Sequence, residues 1–268
     1  MLFNHSIPSK KDLLKEFDSL GHSARVKKMA MIGRDNAQSK QYLDLLTSLL
    51  QDGAYEGHLA LIGALTIKNS NIILSALKHP MASVRKTAAG GLSFVVSDDD
   101  IVQEIEDLSQ DCRRLLLRNI RKLNRRPLAE RLLPLVYSRW GAHDAALLLP
   151  SCSQETIEKY FPDIGHTIAN WSLLAYRSLE VVADYFKSSL EKAPLMQKSL
   201  VWSRFSTAIR FLCAEKPEFI LDCAINIGPK DAIHPSLENS LGILAHKCPD
   251  KVFDLLAQKG FRKSLLLI

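Results

Sequence analysis

The sequence predicts an all-α protein, built as an α-solenoid in which antiparallel helical hairpins stack side by side into a superhelix. Three observations carry this prediction. Leu, Ala, Ile and Val dominate the apolar residues, whereas the 268 residues include only 12 Gly and 11 Pro, a balance that favours helices. Apolar residues recur every three or four positions, as they do on one face of a helix. Two neighbouring segments also align without a gap at a fixed offset, which is typical of repeat proteins.

The aligned segments are LQDGAYEGHLALIGAL at residues 50–65 and LKHPMASVRKTAAGGL at residues 77–92, which lie 27 residues apart. The alignment pairs Leu50 with Leu77, Gly57 with Val84, Leu61 with Ala88, Gly63 with Gly90 and Leu65 with Leu92. Repeat units that cannot bury their apolar faces alone must stack to do so. The fixed offset therefore predicts neighbouring copies of one structural unit.

Each copy is predicted to contain a helix, a corner and a second helix. The apolar stripe of the first helix consists of Tyr42, Leu45, Leu46, Leu49 and Leu50. A corner follows at Asp52-Gly53 or at His79-Pro80, because Gly tolerates the left-handed end of a helix and Pro cannot continue its hydrogen bonds. Small residues on the second helix let it approach its neighbours closely. We expect Leu77, Val84, Ala88 and Leu92 to be buried between consecutive layers.

The second copy, ALKHPMASVRKTAAGGL at residues 76–92, resembles the HEAT repeat of the armadillo-like helical proteins. It has that family's leucine before a proline corner, then a Val-Arg pair at Val84-Arg85 and small residues on the following helix. His79 stands where the family usually has an aspartate. The resemblance is clearest over residues 38–96 and extends over residues 9–126. It implies stacked hairpins that present a concave surface to another macromolecule.

A second pattern recurs downstream in three heptapeptides, LEVVADY at 179–185, PEFILDC at 217–223 and PDKVFDL at 249–255. They share an acidic second residue, an aliphatic fourth residue and an Asp at the sixth position. This spacing predicts divergent helical hairpins in units of 32 to 38 residues. We therefore expect HEAT-like repeats over residues 1–126, and divergent hairpins over residues 127–268 that continue the same solenoid.

Composition and motifs argue against several classes of protein. Apolar runs such as AALLLP at residues 145–150 are far shorter than the ~20 residues of a membrane span, and the N-terminus lacks a signal-peptide core. We expect no membrane partner and an intracellular location, in the cytoplasm or the nucleus. Neither a GxGxxG nor a GxxxxGK[ST] loop occurs, and the Cys and His residues show no zinc spacing. The sequence predicts no cofactor, no metal site and five reduced cysteines.

An acidic stretch, SDDDIVQEIEDLSQD at residues 97–111, holds seven acidic residues and could be mistaken for a cation-binding loop. It lacks the central Gly and the ligand spacing of a calcium-binding EF-hand loop. Ser97 followed by Asp98 to Asp100 is instead typical of a helix N-cap and a first turn whose acids interact favourably with the helix dipole.

The net charge of +6 is concentrated in residues 112–131, which contain eight basic residues and one acidic residue. If residues 113–124 form a helix, Leu116, Ile120 and Leu123 face inward with Leu115 close by. The cationic side chains then spread over the exposed arc, and they are Arg114, Arg118, Arg121, Lys122 and Arg125.

Two interpretations of this basic segment remain open. In the first, Glu104, Glu106 and Asp107 of the preceding helix neutralise the cations, which then form a solvated surface. In the second, the arginines form a ridge on the concave face that binds an acidic peptide or a phosphate backbone through paired hydrogen bonds.

Residues 139–144, RWGAHD, place Trp140 and Asp144 four positions apart, on one face of a helix if the segment is helical. The pair resembles the HEAT-like alkylpurine DNA glycosylases, which have Trp and Asp in a cationic groove. That resemblance implies that Asp144 would stabilise the charged sugar, Trp140 would pack on the lesion, and Arg177 or Arg204 would hold phosphate. The alternative is that Trp140 is a core residue and Asp144 is the N-cap of the following segment.

The sequence favours a non-enzymatic helical-repeat scaffold that binds a protein partner on its concave surface. The alternative is a nucleic-acid-binding module that uses the basic residues 113–131 and extends, in one version, to a glycosylase-like enzyme. The final residues, FRKSLLLI, end in apolar side chains. They predict that this end either belongs to a longer chain or docks on a partner or on a second copy, because a solenoid needs a polar outer face on its last repeat.

Overall fold

The computed structural model describes residues 7–227, 237 and 239–258, and within these ranges the chain forms helices and no strand. The all-α prediction is therefore confirmed for the described residues. The N-terminal helices are α1 Lys10–Asp18, α2 His22–Asp35, α3 Lys40–Leu50, α4 Ala54–Thr66, α5 Ser70–Ala76, α6 Ala82–Val95, α7 Asp98–Glu104, α8 Gln110–Lys122 and α9 Arg126–Trp140.

Shorter helices predominate in the C-terminal half. They are α10 Ala142–Ala145, α11 Gln154–Ile164, α12 Ser172–Arg177, α13 Leu179–Lys192, α14 Lys198–Arg204, α15 Ser206–Glu215, α16 Pro217–Asp222, α17 Leu241–Lys247 and α18 Pro249–Gln258. A π-helical turn, Cys223–Ile227, extends α16. The chain divides into two compact units between Leu135 and Val136, whereas the sequence suggested that the repeat pattern changes near residue 127.

In the first unit, α3 packs on α4 and α5 packs on α6, so each pair forms a hairpin. The second helices also pack on one another in chain order, with α4 between α2 and α6, and α6 between α4 and α8. Gly57 of α4 lies against Val84 of α6, and Leu65 of α4 lies against Gly91 of α6. The first contact joins the start of α4 to the start of α6, and the second joins residues nearer their ends. The two helices therefore run parallel.

The corner of the second copy is held by side chains on both of its sides. The Met81 backbone N–H donates a 3.0 Å hydrogen bond to His79 Nδ1, inside a corner whose histidine is 5% exposed. Arg85 Nη1 donates to the carbonyl oxygens of His79 and Pro80, each at 2.6 Å. The arginine of the Val-Arg pair therefore satisfies carbonyl groups that the proline corner leaves without a helical partner.

The apolar positions predicted for the interior of the second copy are buried. Val84, Ala88 and Leu92 are fully inaccessible to solvent, and Leu77 is 9% exposed. Since α6 has α5 of its own hairpin on one side and α4 and α8 beside it, the small side chains let several helices meet at α6.

The N-cap predicted at Ser97 is confirmed. Ser97 Oγ accepts the backbone N–H of Asp100 at 3.2 Å, and Asp98, Asp99 and Asp100 occupy the first turn of α7. A hydroxyl at this position satisfies a donor that has no partner within the helix, and the carboxylates interact favourably with the helix dipole.

In the second unit, each of the three heptapeptides begins the second helix of a hairpin, α13, α16 or α18. The residue before each heptapeptide has almost the same backbone conformation: φ and ψ are −142° and 65° at Ser178, −132° and 58° at Lys216, and −142° and 65° at Cys248. Each of these residues donates its N–H to a leucine carbonyl four residues earlier. The corners are thus repeated in backbone geometry as well as in sequence.

The acidic residues of the heptapeptides contact lysines of the following copy. Lys216 Nζ lies 2.5 Å from Glu180 Oε2. Lys251 Nζ lies 2.9 Å from Asp222 Oδ1 and 3.6 Å from Glu218 Oε2. The pattern of an acidic second and sixth residue therefore places carboxylates where the next hairpin carries an ammonium group.

Candidate functional site

The candidate site in the first unit is the outward side of α2, α4, α6 and α8, which we call the second-helix face. Its apolar residues are exposed at several points, since Tyr55 of α4 is 37% exposed and Phe94 of α6 is 61% exposed. The basic segment forms α8 at the end of this row of helices. Of its cations, Arg118 and Lys122 are exposed, and Arg114, Arg121 and Arg125 are half-buried.

The inward side of α8 differs from the prediction at one position. Leu116 and Ile120 are fully buried as expected, but Leu123 is 40% exposed, and Leu117 occupies the core instead. The reason is that α8 ends at Lys122 and Leu123 is its C-cap, followed by Asn124 with a φ of 53°. The chain leaves the helix before Leu123 can complete the buried stripe.

Arg125 belongs to the fold and is not available as a ligand-binding residue. Its Nη1 donates a 2.8 Å hydrogen bond to the carbonyl of Ser93, and its Nη2 forms an ion pair with Asp98. Arg131 pairs in the same way with Asp99 at 2.7 Å. For Arg125, the predicted neutralisation by Glu104, Glu106 or Asp107 is therefore wrong, because the first turn of α7 lies closer. Arg114 also has an interaction partner within the fold.

Arg118, Arg121 and Lys122 differ from these residues, since within the described part of the chain none of the three makes a side-chain hydrogen bond or ion pair. They lie within five consecutive positions of α8, on its exposed side. We call these three residues the cationic triad.

Two contacts fix the position of the triad relative to α6. Asn119 Nδ2 donates a 3.0 Å hydrogen bond to the carbonyl of Gly90, and Arg125 reaches Ser93 in the same way. Ser83 and Asp111, in the first turns of the two helices, line one pocket, and Asn119 meets Gly90 further along, so α6 and α8 run parallel. Phe94 is one turn beyond Gly90, as Lys122 is about one turn beyond Asn119. The exposed ring of Phe94 and the cationic triad therefore both lie near the C-terminal ends of their helices, on the second-helix face.

A pocket of about 420 Å³ lies on the α2 side of this face, among α2, α4 and Thr87 of α6. Sequence reasoning missed it. The available signal was Tyr55, His58 and Ile62, which recur on the side of α4 opposite its small residues. That spacing marks an outward stripe but does not reveal which side chains of the neighbouring helix complete a cavity.

Trp140 and Asp144 do not share a helix face. The helix α9 ends at Trp140, and Gly141, with a φ of 79°, separates it from α10. Asp144 is 1% exposed and is the third residue of α10, whose N-cap is Gly141. The prediction that Asp144 is an N-cap is thus also wrong, and its burial leaves no surface for a nucleotide to contact.

Arg204 also belongs to the set that the glycosylase resemblance implies. In the structure it caps a helical turn. Its Nη2 donates to the carbonyl of His166 at 2.8 Å, and its guanidinium carbon lies 5.5 Å from the centre of the Trp171 ring. Trp171 in turn stacks on Phe205, with ring centres 4.3 Å apart. The guanidinium group therefore stabilises the aromatic core of the second unit.

Neither the cysteines nor the acidic residues form a metal site in the described ranges, where no group of three or more His, Cys, Asp or Glu side chains is arranged to hold an ion. All five cysteines are free thiols. Burial raises the pKa of Cys213 to about 11 and that of Cys223 to about 12. Both groups therefore remain protonated at neutral pH and are poor nucleophiles.

Among the described residues, no helix combines the length and apolar character needed to cross a bilayer. The apolar end of the chain, FRKSLLLI, lies outside the described residues, so the prediction of self-association there stays a prediction. Comparisons with family models, curated proteins and solved structures find no match for this chain.

Proposed function

We propose that this chain is a non-enzymatic helical-repeat scaffold whose second-helix face binds an acidic segment of a protein partner. The observation that carries this proposal is the cationic triad: Arg118, Arg121 and Lys122 lack partners within the described part of the fold, and they lie near the end of α8 as the exposed Phe94 lies near the end of α6. Three cations and an exposed aromatic ring on neighbouring helices form a surface that is complementary to an acidic segment carrying apolar residues.

The repeat architecture supports a scaffold of the HEAT-like, armadillo-like kind. In the first unit, the second helices pack in the order α2, α4, α6 and α8, and α6 follows a proline corner whose carbonyls are held by Arg85. In the second unit, three hairpins share one corner conformation. Stacked hairpins of this kind can offer a row of helices to a partner, as the hairpins of an α-solenoid do.

The contrast between paired and unpaired cations favours binding over a purely solvated surface. Arg125 and Arg131, at the edge of the basic segment, have acidic partners within the fold, whereas the triad has none among the described residues. A guanidinium group can donate two parallel hydrogen bonds to one carboxylate, so the interaction is directional as well as electrostatic. An acidic peptide would supply the carboxylates that the described part of the fold does not offer to the triad.

A selection from a library of displayed random peptides, each about 12 residues long, tests this proposal on the intact chain. We expect enrichment of peptides that combine Asp or Glu with an aromatic residue, because charge steers the peptide and the ring supplies buried area. Selected peptides should lose affinity for the variant Arg118→Gln, Arg121→Gln, Lys122→Gln. The control is Lys11→Gln, Lys15→Gln, Lys40→Gln, which removes the same charge from exposed positions on α1 and α3.

Three outcomes would contradict the proposal. Peptides without acidic enrichment, or peptides that bind both triple variants equally, would exclude the triad as the binding surface. A double-stranded DNA of arbitrary sequence is the competing ligand. Should DNA bind more tightly than the selected peptides and lose affinity steeply as salt rises, the nucleic-acid alternative would replace the protein-binding one.

A further inference from the structure

The pocket at the α2 end of the second-helix face is large enough for one side chain of a partner. Its volume of about 420 Å³ is near the lower end of the range for ligand sites. The apolar walls come from two helices, with Val26 on α2 and Leu59 and Ile62 on α4. Thr87 of α6 lines the third side and is exposed.

The polar groups of this pocket are held in fixed positions. Arg25 Nε donates a 2.6 Å hydrogen bond to the carbonyl of Leu20, and the guanidinium carbon lies 5.2 Å from the centre of the Tyr55 ring. The terminal nitrogens of Arg25 make no hydrogen bond or ion pair among the described residues. They remain able to donate two hydrogen bonds to a carboxylate.

His58 adds an acceptor. Its Nδ1 is hydrogen-bonded to the carbonyl of Ala54, and since a carbonyl can only accept, this nitrogen carries the proton. In the neutral ring, Nε2 is then left as an acceptor. A largely apolar cavity that offers an acceptor at His58 and a cation at Arg25, with His22, Tyr55 and Thr87 as its other polar lining residues, matches an indole ring, whose N–H donates, next to an acidic residue.

We infer that this pocket receives a tryptophan side chain of the partner segment, with a neighbouring carboxylate bound by Arg25. This inference rests on the proposed function, because the pocket and the cationic triad lie on the same second-helix face. It specifies the partner more closely than charge alone, since it requires an aromatic anchor at a defined distance from the acidic residues.

The distance follows from the helix packing. The pocket is centred on α4, and the triad is on α8, two helices further along the row. Neighbouring helix axes are about 10 Å apart, so the two sites are about 20 Å apart across the face. An extended chain advances about 3.3 Å per residue. At least about six residues should therefore separate the anchor from the acidic cluster, since the triad also lies further along its helix than the pocket does.

Three fluorescein-labelled peptides test the inference. The first carries Trp-Asp, a Gly/Ser spacer and four Glu, with about six residues between the Trp and the first Glu. The second replaces Trp with Ala, and the third shortens the spacer to about one residue. We expect the first peptide to bind the intact chain about tenfold more tightly than either of the others.

A pocket-filling variant provides the matching change in the protein. Thr87→Trp places an indole ring at the exposed rim of the pocket and removes no core side chain. It should lower affinity for the Trp peptide about tenfold and leave the Ala peptide unchanged. Ser83→Trp, one turn earlier on the exposed side of α6 and outside the pocket, is the control and should change neither affinity.

The outcomes separate this inference from the proposed function. If Trp and Ala peptides bind equally, and both are weakened by neutralising the triad, the anchor pocket is refuted and the acidic-segment proposal stands. If the Trp peptide binds more tightly but Thr87→Trp has no effect, the anchor lies elsewhere and the assignment to this pocket is wrong. If no peptide binds at low salt, both fail.

Discussion

Gly63 of α4 lies so close to Leu46 of α3 that a methyl group at Gly63 would come within 2.5 Å of Leu46 Cδ2 and 2.7 Å of the Tyr42 hydroxyl. Both neighbours are fully buried, so neither can move aside into solvent. The contact explains why the second helix of this hairpin carries a glycine where a bulkier residue would be more helix-forming. The aligned position in the next copy, Gly90, is open by comparison, with Leu115 Cδ2 at 3.5 Å.

Gly63→Ala should therefore destabilise the protein by about 1–3 kcal/mol, because the added methyl group forces buried side chains out of their preferred positions. Gly90→Ala should be neutral or stabilising by up to about 1 kcal/mol, because alanine is the better helix former and its Cβ finds ordinary contact distances. Chemical denaturation of both variants measures the difference. Equal stabilities would show that the packing around α4 is looser than the structure indicates.

Ala88→Arg should unfold the first unit at much lower temperature than the parent protein. Ala88 is fully buried on α6, and a guanidinium group there would be both too large and without a carboxylate partner. Thr87→Arg is the matched control, since Thr87 is the preceding residue and is exposed. Thermal unfolding followed by circular dichroism should show a large loss for Ala88→Arg and almost none for the control. Similar melting of the two variants would mean that the repeat register is wrong.

His79 tests the corner of the second copy. Its Nδ1 accepts the Met81 N–H at 3.0 Å, and an Asp or Asn carbonyl oxygen can accept the same bond in a local turn. His79→Asp should thus retain the stability of the parent, whereas His79→Leu should lose about 1 kcal/mol because the Met81 N–H is left without its acceptor. Denaturant titration of the two variants distinguishes them. A leucine variant as stable as the aspartate variant would show that this hydrogen bond contributes nothing.

Stability should fall at alkaline pH through Tyr42. Burial raises the pKa of this hydroxyl from 10.0 to about 12, and the hydroxyl donates to the carbonyl of Met29 at 3.2 Å. Because the pKa is higher in the folded state, the stabilisation is complete below pH 10 and is lost as pH rises from 10 to 12. The loss attributable to Tyr42 is about 1.4 kcal/mol at about pH 11.

Urea unfolding of the parent and of Tyr42→Phe at about pH 8 and about pH 11 isolates this contribution. The variant loses the hydrogen bond at both pH values but cannot ionise. Its stability should consequently fall by about 1.4 kcal/mol less than that of the parent between the two conditions. The cysteines with raised pKa values titrate in both proteins and cancel in the comparison. Identical pH dependence would place Tyr42 in contact with solvent.

Repetition made much of the fold predictable from the sequence. The corners at Gly53 and Pro80 and the three heptapeptides each coincide with a hairpin corner or the start of a helix in the structure. This works because the same local rules act in every copy: a helix-breaking residue, then a cap, then a buried stripe. Ser97 is an example in which hydroxyl and carboxylates alone determined the helix start.

The errors occurred at a helix end that spacing does not reveal and at positions where distant residues decide. Leu123 fits a buried stripe by spacing, but α8 ends one residue earlier. Arg125 pairs with Asp98 because the helix packing brings the start of α7 to it, which no sequence spacing reveals. Similarly, the pocket around Tyr55 requires side chains from three helices. The sequence predicted the cations of α8 but could not distinguish those that the fold pairs from those that it leaves available.

The most direct test of the central claim is a fluorescence-anisotropy titration of one acidic, tryptophan-containing peptide with the parent protein and the two triple variants, at about 50 mM and about 300 mM salt. Neutralising Arg118, Arg121 and Lys122 should weaken binding about tenfold or more at low salt and remove most of its salt dependence, because these cations supply the attraction. Neutralising Lys11, Lys15 and Lys40 should change the affinity far less. Unchanged affinity and salt dependence in the first variant, with circular dichroism showing an intact fold, would contradict the assignment of the second-helix face as the binding surface.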